Sequence, residues 1–193
     1  MAKKKDVREL LIQKATEQFA RKGYLETTTK ELATAAGVNS ALVYYYFKNK
    51  EDILYIIIER SSKKLYEMLR DIQSSDMDSI ECLAELIKTY LIFTMEQSET
   101  TKIIDQSTDK LKGHQKAQCI RRQGDIYHIF INQIRKIRSE GRLKDVHPEV
   151  VNLITMGMMN WLPRWFKSEG LLKMDVIVDQ MIEVLFHGSI NGV

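Results

Sequence analysis

Two clusters in this 193-residue chain have residue types and spacings that could do chemistry. The first is the run Ser40, Ala41, Leu42, Val43, Tyr44, Tyr45, Tyr46 and Phe47, followed by Lys50. Adjacent helical residues cannot all face one way, so at least one of the three tyrosines must point to solvent. An outward tyrosine suits a polyanion, because its hydroxyl can reach a phosphate oxygen while its ring packs. Lys50 would add a cation at the start of the next helix, where the helix N-terminus also favours an anion. The second cluster is Met156, Met158, Met159, Asn160, Trp161, Pro163, Arg164, Trp165 and Phe166. Trp161 and Trp165 are one turn apart, with Arg164 on nearly the same face. Pro163 forfeits one backbone bond and frees the carbonyl of Met159. A kinked, Met-rich aromatic surface with one arginine can form a pocket wall for a ligand with an anionic or carbonyl group. Two tryptophans in a core or a dimer interface, with Arg164 in an ordinary salt bridge, account for the same residues.

Catalytic chemistry has little to stand on. His114, His128, His147 and His187 are scattered, and none has metal-ligand spacing to another His or Cys. No glycine-rich phosphate loop, G-x-S-x-G or H-E-x-x-H motif occurs. The expectation is therefore no enzyme, no catalytic residue, no metal and no cofactor. Cys82 and Cys119 lack CxxC spacing and fit isolated thiols in a reducing compartment.

The elements that must carry the two clusters are helices. Only two prolines and nine glycines punctuate a chain that is 44% hydrophobic, which disfavours a many-stranded fold. Val7, Leu11, Ala15 and Phe19 form one stripe of a first helix that ends at Gly23. Thr28 and Glu31 have capping-box spacing and open a short second helix with Leu32, Ala33 and Ala36 as its apolar face. Gly37 stops it, and Asn39 caps a third helix from Ser40 to about Phe47. This is helix-turn-helix spacing. Asn49 to Asp52 opens a fourth helix of about two dozen residues, carrying Leu54, Ile57, Leu65, Met68 and Ile72. Further helices are expected at 76–95, near 98–106, at about 112–139, at 148–167 and at 174–187, with Pro148 at a first helical position and Gly170 and Gly188 closing the last two.

Charge divides along the same line. Residues 1–50 hold ten Lys/Arg against five Asp/Glu, and the remainder nineteen against twenty-one. A basic head on a mildly acidic body implies that only the head meets a polyanion. The arm Lys3-Lys4-Lys5 could reach a minor groove, or simply be a solvated tail. The longest apolar run, Ile53 to Ile58, is far too short to span a membrane, and the basic start lacks a signal-peptide core, so a cytoplasmic protein is expected. An architectural DNA-binding protein would not need so long a non-basic body.

The stretch ELATAAGVNSALVYYYFKNKEDIL, preceded by FARKGY, closely resembles the TetR family of bacterial and archaeal repressors. The resemblance covers about residues 8–55. It implies an all-α fold of about nine helices, with a three-helix helix-turn-helix domain over 1–50 and a helical effector-binding and dimerisation domain over 51–193. It further implies that Ser40, Ala41 and Tyr45 face bases, that Thr28, Tyr44, Tyr46 and Lys50 hold phosphates, and that a homodimer binds palindromic double-stranded operator DNA. The dimer would be a four-helix bundle from the face of Val150, Leu153, Ile154, Gly157 and Met158 and that of Ile177, Met181, Val184 and Leu185. The segment Asn160-Trp161, Arg164-Trp165-Phe166 resembles the acyl-CoA-responsive branch, whose members repress lipid-degradation genes until the thioester binds; Pro163 departs from that pattern. On this reading Tyr127, Phe130, Met156, Asn160, Trp161, Arg164 and Trp165 bind the effector, with Gln123 and Ile134 on the facing wall and Lys112, Lys116, Arg121 and Arg122 near CoA phosphates. A repressor that senses drugs and controls an efflux pump is the competing expectation.

Overall fold

The structure is a computed structural model that describes residues 2–166 and 172–189, with side chains from 6 to 166 and from 172 to 188. Every regular element among the described residues is helical: α1 (Ala2–Lys22), α2 (Thr29–Ala35), α3 (Ser40–Tyr46), α4 (Lys50–Gln73), α5 (Ser79–Glu96), α6 (Ser98–Ser107), α7 (Gly113–Ser139), α8 (Pro148–Trp165) and α9 (Met174–Ser189), with a 3-10 turn at Thr108–Lys110. Lys3, Lys4 and Lys5 lie in the first turn of α1 rather than in an extended arm. Their side chains, and Gly170 as a helix stop, fall outside the described residues. Gly188 lies within α9 rather than beyond its end.

The local signals in the head act as their chemistry dictates. Gly23 and Gly37 take φ of 96° and 65°, left-handed values that end α1 and turn the chain between α2 and α3. Thr28 Oγ1 accepts from the Glu31 amide while the Glu31 carboxylate accepts from the Thr28 amide, a complete capping box. Asn39 Oδ1 caps α3 through the Leu42 amide, and Asn49 Oδ1 accepts from the Asp52 amide at the start of α4.

Packing forms two compact units, and they do not follow a cut at residue 50. The first comprises residues 1–63 and 97–122, the second 64–96 and 123–193. In the first unit Leu11, Ala15 and Phe19 of α1, Leu32, Val43, Phe47 and Ile53, Leu54, Ile57 and Ile58 of α4 share one core with Ile103, Leu111 and Cys119. Lys102 of α6 also donates to the Ala20 carbonyl at the end of α1. Within this unit α4 and the first turns of α7 run parallel along a polar seam. Glu51 accepts from the Lys112 amide (2.7 Å), Gln115 donates to Asp52 (3.3 Å), Tyr55 donates to Gln118 (2.7 Å) and Arg122 pairs with Glu59 (3.5 Å).

The core of the second unit is built from Leu65 and Leu69 of α4, Leu83, Leu86, Ile87 and Leu91 of α5, Phe130, Ile134 and Ile137 of α7, Val151 and Met159 of α8, and Val178 and Leu185 of α9. Met68, expected on the apolar stripe of α4, is exposed, and Leu69 takes the buried place. Both cysteines are buried free thiols, and burial pushes Cys119 up to about 11, away from thiolate chemistry.

Candidate nucleic-acid interface and ligand site

The recognition surface follows from how α3 sits on its neighbours. Val43 and the adjoining Phe47 are buried, so the opposite side of the helix must face out. Ala41, Tyr44 and Tyr45 are exposed there, and Ser40 is half-buried at the start of the helix. Tyr45, at 61% exposure, rests edge-on against the half-buried Tyr46 at 5.0 Å between ring centroids. The Tyr44 hydroxyl shares a 2.9 Å hydrogen bond with Thr29 Oγ1, which holds the ring beside the start of α2. Thr28 is exposed at the same helix start. Five of the seven expected DNA-contacting residues, Thr28, Ser40, Ala41, Tyr44 and Tyr45, thus lie at the start of α2 or along the outer side of α3.

Lys50 is placed differently from the phosphate contact expected of it. Its ammonium donates to the backbone carbonyls of Tyr24 and Thr27 at 2.8 Å each and of Leu25 at 3.2 Å, and it lies 4.4 Å from the Tyr24 ring centroid. A lysine has three N–H donors, and all three are spent on the α1–α2 loop. Burial lowers its pKa from the ordinary lysine value. Sequence reasoning missed this clamp because its partners are backbone carbonyls more than twenty positions away.

Lys22 pairs with Glu31, and together with the two Thr28 bonds this holds the Glu31 carboxyl down at about 2. The start of α2 is therefore fixed from the side of α1 as well as by its own cap.

In the second unit the two sides of α8 differ sharply. At about 100° per residue, Val150, Leu153, Ile154, Gly157, Trp161, Arg164 and Trp165 fall on one side, and Asn152, Thr155, Met156 and Met159 on the other. The first side is exposed: Leu153 at 72%, Trp161 at 54% and Trp165 at 67%. Trp161 and Trp165 stack at 6.1 Å with tilted planes, and the Arg164 guanidinium lies 5.4 Å from the Trp161 centroid. The second side is buried, Met156 only partly. Pro163 does not break the helix, which continues two residues to Trp165.

The effector residues expected from the sequence therefore separate. Phe130 and Met156 belong to the interior, and Phe130 is wholly buried. Asn160 stands at its edge, where its Oδ1 accepts from the Tyr90 hydroxyl at 2.7 Å. Burial pushes the Tyr90 phenol up to about 12, and its ring meets Phe130 edge-on at 5.9 Å. Trp161, Arg164 and Trp165 lie on the outer side of α8, and Tyr127 is exposed on α7. Helical periodicity reveals a stripe on each side of α8 but not which one the rest of the domain covers.

Beside the outer side of α8 runs a cleft of about 240 Å³ lined by Met158, Leu172, Ile177, Gln180, Met181 and Val184. Val184 is 71% exposed, so α8 and α9 together present one apolar surface. Among the described residues no group of three His, Cys, Asp or Glu side chains could hold a metal, and no helix is long and apolar enough to cross a membrane.

Comparison with known proteins agrees with this arrangement. Residues 11–55 match the family model of bacterial regulatory proteins of the tetR family, and residues 76–189 match the tetracyclin repressor-like C-terminal domain. The transcriptional repressor KstR2 of Rhodococcus jostii (strain RHA1) is 21% identical over 180 residues, covering 92% of this chain and 88% of the relative. The transcriptional regulator HbdR of Aromatoleum sp. (strain CIB) is 28% identical over 159 residues, covering 82% of this chain and 68% of the relative. Among solved structures, AibR in complex with isovaleryl coenzyme A and operator DNA superposes with a TM-score of 0.85 at 24% identity, over 93% of this chain and 98% of that one. The helix-turn-helix with its outward tyrosines and the helical domain that follows it in the chain are matched by separate models of one family, and the chain belongs to the TetR family of transcriptional regulators.

Proposed function

We propose that this protein is a homodimeric repressor that grips a palindromic operator through α3 and is released by an acyl-CoA thioester, controlling genes of fatty-acid or lipid degradation. The carrying observation is the two-sidedness of α3, which buries Val43 while offering Ala41, Tyr44 and Tyr45 to a partner. Ser40, Ala41 and Tyr45 supply few bidentate donors, so deformability of the operator contributes to selectivity. Tyr44 and Thr28 meet phosphates beside them. Tyr46 and Lys50, turned toward the protein, support this surface rather than touch DNA.

The dimer reading rests on the apolar surface of α8 and α9. Trp161, Trp165 and Arg164 belong to that surface, joined by Leu153, Ile154 and Val184. Two copies related by a two-fold axis bury it in a four-helix bundle, and two-fold symmetry then matches a palindromic operator.

The thioester reading is supported by one relative of the same fold: AibR was solved with isovaleryl coenzyme A. Among the described residues, none of those buried in the second unit is charged, so its interior suits a neutral acyl group and leaves the CoA phosphates outside. The effector is a ligand, not a cofactor. Because α4 supplies side chains to both cores, an effector that favours one arrangement of α4 can shift the population away from the DNA-competent state. The outward placement of Arg164 favours a second reading, in which the same interior takes uncharged or cationic lipophilic drugs and the repressor controls an efflux pump.

Fluorescence anisotropy of operator DNA taken from upstream of the gene decides between them. Release by acyl-CoA, but not by free CoA, free fatty acids or lipophilic cations, supports the thioester reading. Tight binding that ignores every acyl-CoA overturns it.

A further inference from the structure

Asn152 is 0% exposed, and neither its Oδ1 nor its Nδ2 has a hydrogen-bond partner. It lies on the inner side of α8, beside a core of apolar side chains, and the other buried polar side chains of this unit, Ser79, Thr94, Gln133 and Thr155, each have a hydrogen-bond partner. Thr155, three residues on along that side, spends its hydroxyl proton on the Val151 carbonyl and makes no bond to Asn152. An amide buried with both donor and acceptor unpaired is a larger penalty than an apolar residue of the same shape. Leucine has that shape and would bury well. The fold gains nothing from the amide.

The rest of this side of α8 shows where a partner would come from. Asn152, Met156 and Asn160 follow one another at steps of four along one ridge, spanning roughly 12 Å of helix rise. At the outer end Asn160 is already satisfied by Tyr90. Met156 and the buried Met159 lie between the two ends, and unbranched methionine yields to an incoming chain more readily than branched side chains do. The ridge thus runs from a paired amide at the edge, past deformable thioethers, to an unpaired amide in the interior.

We infer that Asn152 is the specificity anchor of the effector, and that the effector's acyl group carries a hydroxyl or keto oxygen that pairs with this amide. The inference rests on the thioester reading and narrows it from acyl-CoAs in general to oxygenated ones. An amide both donates and accepts, so it serves a hydroxyl through either atom and a keto oxygen through Nδ2. A saturated chain reaching the same depth would leave the amide unpaired, and a buried polar group left unpaired is how a site rejects an analogue that lacks one oxygen.

The test uses the full-length protein on its operator. Release is titrated with matched CoA thioesters of equal chain length: saturated, 3-hydroxy, 3-oxo and terminally hydroxylated. Asn152→Leu and Asn152→Ala are measured beside the native protein, with thermal unfolding and operator affinity for each. The expected result is release of the native protein by at least one oxygenated thioester at a tenfold lower concentration, or less, than by the saturated one. Asn152→Leu should erase that preference, keep operator affinity within twofold and raise Tm. Equal potency of saturated and oxygenated thioesters on the native protein overturns the role of Asn152 while leaving the thioester reading standing. So does a preference that survives both substitutions, or a fall in Tm for Asn152→Leu. Failure of every thioester to release the operator overturns the thioester reading, and this inference with it.

Discussion

The Lys50 ammonium donates 2.8 Å to the Thr27 carbonyl, closing a span of 23 residues between the first turn of α4 and the loop before α2. With its bonds to the Tyr24 and Leu25 carbonyls, this makes one side chain the tie for the α1–α2 loop. Lys50→Met should cost about 1–2 kcal/mol of stability, read as a lowered denaturation midpoint. Lys50→Arg should recover only part, because a planar fork does not match three converging carbonyls. A direct phosphate contact would instead reduce the salt dependence of operator binding by about one ion. We expect that slope to stay unchanged.

Tyr45 makes the opposite prediction. It is exposed, and its ring meets Tyr46 edge-on. Tyr45→Ala should weaken operator binding by about 1–2 kcal/mol, roughly 5- to 30-fold, with little change in Tm. Equal loss on operator and random DNA would show that Tyr45 holds phosphate rather than reads a base.

The head is largely legible in the sequence, and the body is not. Thr28 with Glu31, Gly23, Gly37 and Asn39 act within a few residues of themselves, so their spacing alone specifies caps and turns. Lys50 and Trp161 act through what lies across from them. Trp161 sits on an apolar stripe opposite Met159, and periodicity gives both stripes without saying which is covered by α5 and which faces out. The tryptophan-rich motif is therefore readable as a pocket wall, although the interior is lined by Phe130, Met156 and Met159. Asn152 carries no sequence signal, since an asparagine in a helix ordinarily faces water.

If the outer side of α8 is the dimer surface, Leu153→Glu with Val184→Glu should yield a monomer by sedimentation velocity. Operator affinity should then fall by about two orders of magnitude, since each half-site is held alone. Arg164→Met, on the same side, should leave the concentration of effector needed for release within about twofold. A tenfold loss would return Arg164 to the ligand site.

Glu31 sets a pH signature. Its folded pKa of about 2 lies below the ordinary 4.5, so its contribution to stability is complete above about pH 4.5 and fades as pH falls toward 2. The difference in Tm between the native protein and Glu31→Gln should be constant near neutrality and close across that acidic window. A difference that persists unchanged at pH 2 would show that the bonds to Lys22 and Thr28 do not govern the cap.

The first core draws Ile103, Leu111 and Cys119 from the middle of the chain, along with the Lys102 tie to Ala20. Anyone building chimeras from such regulators meets the result at the cloning bench. A head excised after residue 55 would lose Ile57, Ile58, Ile103, Leu111 and Cys119 from its core and should be recovered as aggregate. Grafting this reader onto a foreign sensor takes three splice points, one in α4, one between α5 and α6 and one in α7, with residues 97–122 travelling with the head.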